Sequence, residues 1–257
     1  MSGKLVIQVF LATAGVWAGD VFAAVDATDK EYNPVPAIGQ NAEDVKFFDE
    51  NAAGPRVLFV GNSITLHGPR PQIGWNNNWG MAASERDLDY VHRVQRGFAL
   101  EHPDAQFCLL QVAGTIERSF FKPDWSVERN FKWARQFKPD YIVMFFGANV
   151  PGEYDSGKME SAPARSFGAA LEEFIRYVDP GLKSKVLLSE GFYTRPKLEE
   201  EKRTVAAKLP NVTIVGMEDI RNEPAARGRY NHPGDYGMEL IANRFLKYLK
   251  ELSAKQN

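Results

Sequence analysis

The chain has 257 residues, 44% hydrophobic and 25% charged, with a formal net charge of −2. That length carries one full α/β core. The lack of a basic surplus excludes a dedicated nucleic-acid binder, which must neutralise phosphates. A single cysteine, Cys108, excludes a disulfide scaffold, and inside the apolar run 107–112 it reads as a small core residue.

Residues 1–23 combine a positive Lys4, an apolar run over 5–19 and small residues before position 24, which reads as a secretory signal peptide. The run is shorter than the ~20 residues a spanning helix needs. No other stretch is a membrane-span candidate, so the expected location is periplasmic or secreted. Residues 24–55, rich in Asp, Pro, Asn and Ala, read as an extended leader ahead of a single domain at 56–257.

The domain opens on a short aliphatic run, 56–60, that predicts a buried strand. Gly61, Asn62 and Ser63 then turn the chain. Gly and Asn tolerate left-handed backbone at low cost, and a Ser at the tip of such a turn presents both its hydroxyl and its N–H above the strand end. The Pro-interrupted loop that follows, through Trp75 and Trp79, is a candidate cleft wall. Helical periodicity covers 80–101, 127–137, 163–178, 196–209 and 235–252. Between these lie apolar runs at 107–112, 141–146, 185–189 and 212–216 that read as strands. Five strands alternating with helices predict a parallel sheet covered on both faces, a three-layer α/β/α domain. Right-handed crossovers place every strand's carboxyl end on one edge. Ser63, Gly114, Asn149 and Glu190 collect there, and the loop before the last helix adds His232. Taken singly, each has an ordinary reading: a cap, a turn glycine, a turn Asn, a solvent-exposed Glu, a loop His.

The ordered set VGNSIT at 60–65, VAGT at 112–115, GAN at 147–149 and HPGDYG at 232–237 resembles the SGNH, or GDSL-type, esterase and lipase superfamily, nearest in character to its carbohydrate acetylesterase branch. The resemblance implies a flavodoxin-like fold with Ser63 as nucleophile, His232 as base, and the Gly114 N–H and Asn149 amide as oxyanion donors. Gly80 in NWGM rivals Gly114 for the second block. Two positions depart from the pattern: Val150 stands where the third block has Asp, and Arg229 stands where an Asp orients the imidazole. A backbone carbonyl could replace that acid, as could Glu190, Asp219, Glu223 or Asp235, with Glu190 best placed. His67 lies close enough to Ser63 for a supporting role.

The expected activity is hydrolysis of a carboxylic ester, O-acetyl groups on a glycan first, with Trp75 and Trp79 either stacking on sugar or anchoring their loop. No metal-ligand spacing and no phosphate-cradling loop is present, so no cofactor is expected. The competing expectations are a non-hydrolytic acyltransferase or glycan-binding domain, motivated by Arg229, and a small-chain lipase or thioesterase.

Overall fold

The structure, a computed structural model, describes residues 45–47 and 53–254. The expected signal segment and most of the expected leader lie outside the described residues.

The strands are β1 (Val45–Phe47), β2 (Arg56–Gly61), β3 (Gln106–Gln111), β4 (Tyr141–Phe145), β5 (Lys185–Ser189) and β6 (Val212–Val215). They form one sheet in the order β1-β3-β2-β4-β5-β6. Strands β2 to β6 are the five parallel strands expected, in flavodoxin-like order. The leader adds a sixth at the edge: β1 runs antiparallel to β3, with Val45 opposite Leu110 and Phe47 opposite Cys108. A short antiparallel strand covers the edge that β3 would otherwise leave open.

The helices are α1 (Tyr90–Ala99), α2 (Val127–Phe137), α3 (Gly152–Ser156), α4 (Phe167–Val178), α5 (Pro196–Lys208), α6 (Glu218–Arg221) and α7 (Asp235–Ala254). Strand alternation sorts the core into two layers. Val57 and Phe59 face a cluster with Val91, Phe98, Ile241 and Phe245 of α1 and α7. Leu58 and Val60 face the other, with Phe131, Leu171, Phe174 and Leu198 of α2, α4 and α5. Since β2 to β5 are buried on both faces, an uninterrupted apolar run is the pattern that fits.

Two helix starts differ from expectation. The periodic stretch from 80 becomes helical only at Tyr90, because Asp89 caps the helix: its side chain accepts from the His92 N–H at 2.8 Å and from the Gly80 N–H at 2.9 Å. Likewise α4 begins after Ser166, which accepts from the Ala169 N–H at 3.1 Å, and not at Pro163. No helix among the described residues is long and apolar enough to cross a membrane.

Candidate active site

The β2 carboxyl end delivers Ser63 through a turn that the sequence dictates locally. The Asn62 carbonyl accepts from the N–H groups of Thr65 and Leu66, both at 2.9 Å, and its side-chain oxygen accepts from the Ile64 N–H at 3.1 Å. Gly61 is obligatory here, since a Cβ would lie 1.6 Å from the Thr65 hydroxyl. With the neighbouring backbone thus occupied, the Ser63 N–H is given no acceptor among the described residues.

Ser63 Oγ lies 2.7 Å from His232 Nε2, across 169 residues of sequence. The other ring nitrogen, Nδ1, lies 2.8 Å from the Tyr230 carbonyl oxygen. A carbonyl can only accept, so Nδ1 carries the proton, Nε2 is the free base, and the Ser63 hydroxyl donates to it. Burial lowers the His232 pKa from 6.5, with the charge of His67 adding to the shift and the Tyr230 carbonyl opposing it. The imidazole is therefore a neutral base at pH 7.

The acceptor on Nδ1 is a main-chain oxygen. Glu190, the acid best placed by sequence, pairs instead with Arg203 at 2.7 Å, Asp219 pairs with Arg244 at 2.6 Å, Asp235 accepts from Ser84 at 2.6 and 2.7 Å, and Glu223 caps the turn at Ala225 at 2.9 Å. The physical reason lies in the loop. Tyr230 and Asn231 both adopt left-handed backbone, φ 58° and 57°, which aims the Tyr230 carbonyl back at the ring two residues on. That conformation is uncommon for a bulky residue and is held from several sides. Gly228 N–H donates to the His232 carbonyl at 2.7 Å, Tyr193 hydroxyl to the Asn231 carbonyl at 2.7 Å, and Arg227 to the Asn231 side chain at 3.0 Å.

Trp75 braces the same loop. Its ring packs edge-on against Tyr230 at 6.3 Å and Trp79 at 5.9 Å, and it is only 3% exposed. Both indole N–H groups are committed to loop carbonyls, Trp75 to His67 at 2.9 Å and Trp79 to Ala83 at 3.0 Å. The sugar-stacking expectation for Trp75 is thereby corrected, since a buried ring offers no face. Trp79 is half-buried in the same cluster.

On the other side of Ser63, the turn after β3 exposes Gly114, whose N–H is given no acceptor among the described residues. Its rival Gly80 has spent its N–H on Asp89 and is buried beneath the Ile64 carbonyl. Asn149 follows β4, and its side chain is clamped from both ends: Arg118 donates to Oδ1 at 2.8 Å, and Nδ2 donates to Glu117 Oε2 at 2.7 Å. Those two partners settle which end of the amide is which, and leave the second Nδ2 hydrogen for a ligand.

Glu117 itself was not legible as part of the site. It is 0% exposed and accepts also from Asn62 Nδ2 at 3.0 Å, the Gly147 N–H at 2.5 Å and the Asn149 N–H at 3.2 Å. One carboxylate thus ties Asn62, the residue before Ser63, to the loop after β4. Lys202, fully buried on the far side of that loop, donates to the Phe146 and Ser189 carbonyls at 2.7 and 2.8 Å. Burial pushes its pKa down to about 8, with the charges of Glu117, Glu199 and Glu190 working against the fall. No sequence signal separates Glu117 from the exposed glutamates, because its burial comes from the loops that fold over it. Among the described residues no group of three or more His, Cys, Asp or Glu could hold a metal ion.

No family model matches the chain, and no curated protein sequence matches it. Solved structures do. A two-domain esterase active on acetylated mannans superposes with a TM-score of 0.50 at 20% identity, covering 77% of this chain and 50% of that one. The psychrotrophic esterase EstA from Pseudoalteromonas sp. gives 0.51 at 13% identity, covering 77% and 98%. A family two carbohydrate esterase from Clostridium thermocellum, solved with cellohexaose, gives 0.50 at 14%, covering 78% and 65%. The chain spans about half the length of the mannan esterase and nearly all of EstA. The chain therefore has the fold of these esterases, with a serine and a histidine in hydrogen-bond contact at the carboxyl edge of its sheet.

Proposed function

We propose that the protein hydrolyses short-chain carboxylic esters, O-acetyl groups on a carbohydrate first, and that it acts outside the cytoplasm. The observation that carries this reading is the 2.7 Å contact between Ser63 Oγ and His232 Nε2, with the imidazole tautomer set by Tyr230. In the first step Ser63 Oγ attacks the ester carbonyl while its proton passes to Nε2. The tetrahedral oxyanion is met by the N–H groups of Ser63 and Gly114 and by Asn149 Nδ2, donors already oriented before substrate arrives. The imidazolium gives its proton to the departing alcohol oxygen, leaving an acyl-serine. Water then attacks, His232 takes its proton, and Ser63 is released with the carboxylic acid.

The short-chain preference is supported by the likeness in fold to an esterase active on acetylated mannans. The test is hydrolysis of p-nitrophenyl acetate, butyrate and octanoate by the protein and by Ser63→Ala. Acetate turnover abolished by the substitution is expected; equal turnover in both proteins, or none in either, would end the hydrolase reading. Faster turnover of octanoate than acetate would transfer the reading to a lipase.

A further inference from the structure

We propose that the ester substrate is an acidic glycan: an O-acetylated sugar chain carrying carboxylates beside the acetylated position, bound by Arg70, Arg118 and Arg229. This rests on the esterase reading above and names the substrate class for the same site.

The three arginines stand on the loops that flank the serine–histidine pair. Arg118 is fixed at the shoulder of the oxyanion donors by its 2.8 Å bond to Asn149, which uses one nitrogen and leaves the rest of the fork exposed. Arg229 lies three residues before His232. Its guanidinium sits 4.8 Å from the Tyr230 ring centroid and beside Gly74, between the histidine loop and the loop of the two tryptophans. Arg70 stands at the neck of that second loop, closed by its N–H to the Trp75 carbonyl at 2.6 Å. Between them sits His67. Its Nδ1 donates to the Gly68 carbonyl at 2.6 Å, which leaves Nε2 as an acceptor suited to a sugar hydroxyl.

Other guanidiniums are held by the fold itself. Arg195 pairs with Asp155 at 3.1 Å, Arg203 with Glu190 at 2.7 Å, Arg221 with Glu199 at 2.6 Å and Arg244 with Asp219 at 2.6 Å, while Arg56 and Arg129 donate to main-chain carbonyls, Arg227 to Asn231 and the Arg221 carbonyl, and Arg135 lies over the Tyr177 ring. Among the described residues Arg70, Arg118 and Arg229 form no ion pair. In a chain of net charge −2, three unmatched guanidiniums around one cleft are a concentration of positive potential against the average. Their field reaches His67, whose pKa burial lowers most, with the charges of Arg70 and Arg118 adding to the fall. A planar guanidinium with unused parallel donors matches a carboxylate in shape and charge, and a cleft of one sign also draws a polyanion to it.

The experiment compares one backbone in two charge states: O-acetylated oligogalacturonate and the same oligomer with its carboxyls methyl-esterified. Acetate release from the free acid should have a kcat/KM at least ~10-fold higher at low salt, and the gap should close by ~0.5 M NaCl as screening shortens the field's reach. In Arg70→Gln and Arg229→Gln the free-acid to methyl-ester ratio should fall ~3- to 10-fold, through KM. Binding of the two oligomers to Ser63→Ala, measured by titration calorimetry, tests the same preference without turnover. Equal kcat/KM and equal binding for the two oligomers overturn the proposal while p-nitrophenyl acetate turnover keeps the esterase reading intact. A loss in the arginine variants that is the same on both oligomers also overturns it, since the guanidiniums then serve the oxyanion alone. Preferential binding of the free acid by Ser63→Ala supports the proposal even if no ester is turned over.

Discussion

The two flanks of Ser63 solve the same problem, holding a polar group still, with opposite electrostatics. On the histidine side the acceptor is an uncharged carbonyl, supplied by a left-handed Tyr230. On the Asn149 side the holder is a buried carboxylate, Glu117, collecting four N–H donors. A carbonyl fixes the imidazole tautomer but offers less charge stabilisation to the imidazolium than an aspartate would. A carboxylate beneath the Asn149 amide fixes its orientation at short range while its charge is spread over several donors. A negative charge lies beneath the Asn149 amide, and an uncharged carbonyl meets the imidazole. Arg229, standing where the acid would be, is left on the surface.

Breaking the histidine side at its root should give the largest effect. His232→Ala should lower kcat for p-nitrophenyl acetate by on the order of 10⁴–10⁶, measured under saturating substrate, because base and hydroxyl act as a unit. On the other flank, Asn149→Ala removes one of three oxyanion donors and should cost about 10²–10³ in kcat with KM little changed. Glu117→Gln sharpens the comparison further. It keeps the shape but aims an amide NH₂ at groups that are themselves donors, so we expect kcat down roughly 10- to 100-fold together with a lower Tm. Loss of Tm alone, with kcat intact, would show that the carboxylate serves the fold and not the amide's orientation.

Trp75 tests the bracing of the histidine loop. Trp75→Ala empties a buried site and should destabilise by about 3–5 kcal/mol in urea titration, whereas Trp75→Phe, retaining most of the packing, should cost less and disturb kcat mainly through Tyr230. The smallest expected effect is in the pH dependence. Burial holds both His232 and His67 below their ordinary value of 6.5, so kcat/KM should be flat at neutral pH and fall only on the acid side of 6.5. The unfolded chain binds more protons in that range, so the histidines' contribution to stability is complete above 6.5 and is lost as pH falls through their folded values. A profile still rising above pH 7 would mean that an acid charges the imidazole after all.

The strands, the two-sided burial and the convergence of Ser63, Gly114, Asn149 and His232 on one sheet edge were legible because they follow from short-range rules. Apolar runs, glycine turns and right-handed crossovers each act within a few residues or by topology alone. Glu190 and Trp75 were each left with two readings for a common reason: a residue's place beside a cleft says nothing about which partner satisfies it. Glu190 follows a strand at the active edge and yet is claimed by Arg203 on α5. Trp75 lies in the cleft loop and yet turns inward against Tyr230.

What the chain's order of residues determined alone was the sheet, its carboxyl edge and the arrival there of a hydroxyl and an imidazole. Periodicity and crossover handedness demand no knowledge of distant contacts. Only the tertiary structure decided what orients the imidazole, what clamps the amide and which arginines are left unmatched. Those are questions of pairing between groups tens of residues apart, where a carbonyl, a glutamate and an aspartate compete for the same donor and the winner is set by a few ångströms of loop geometry.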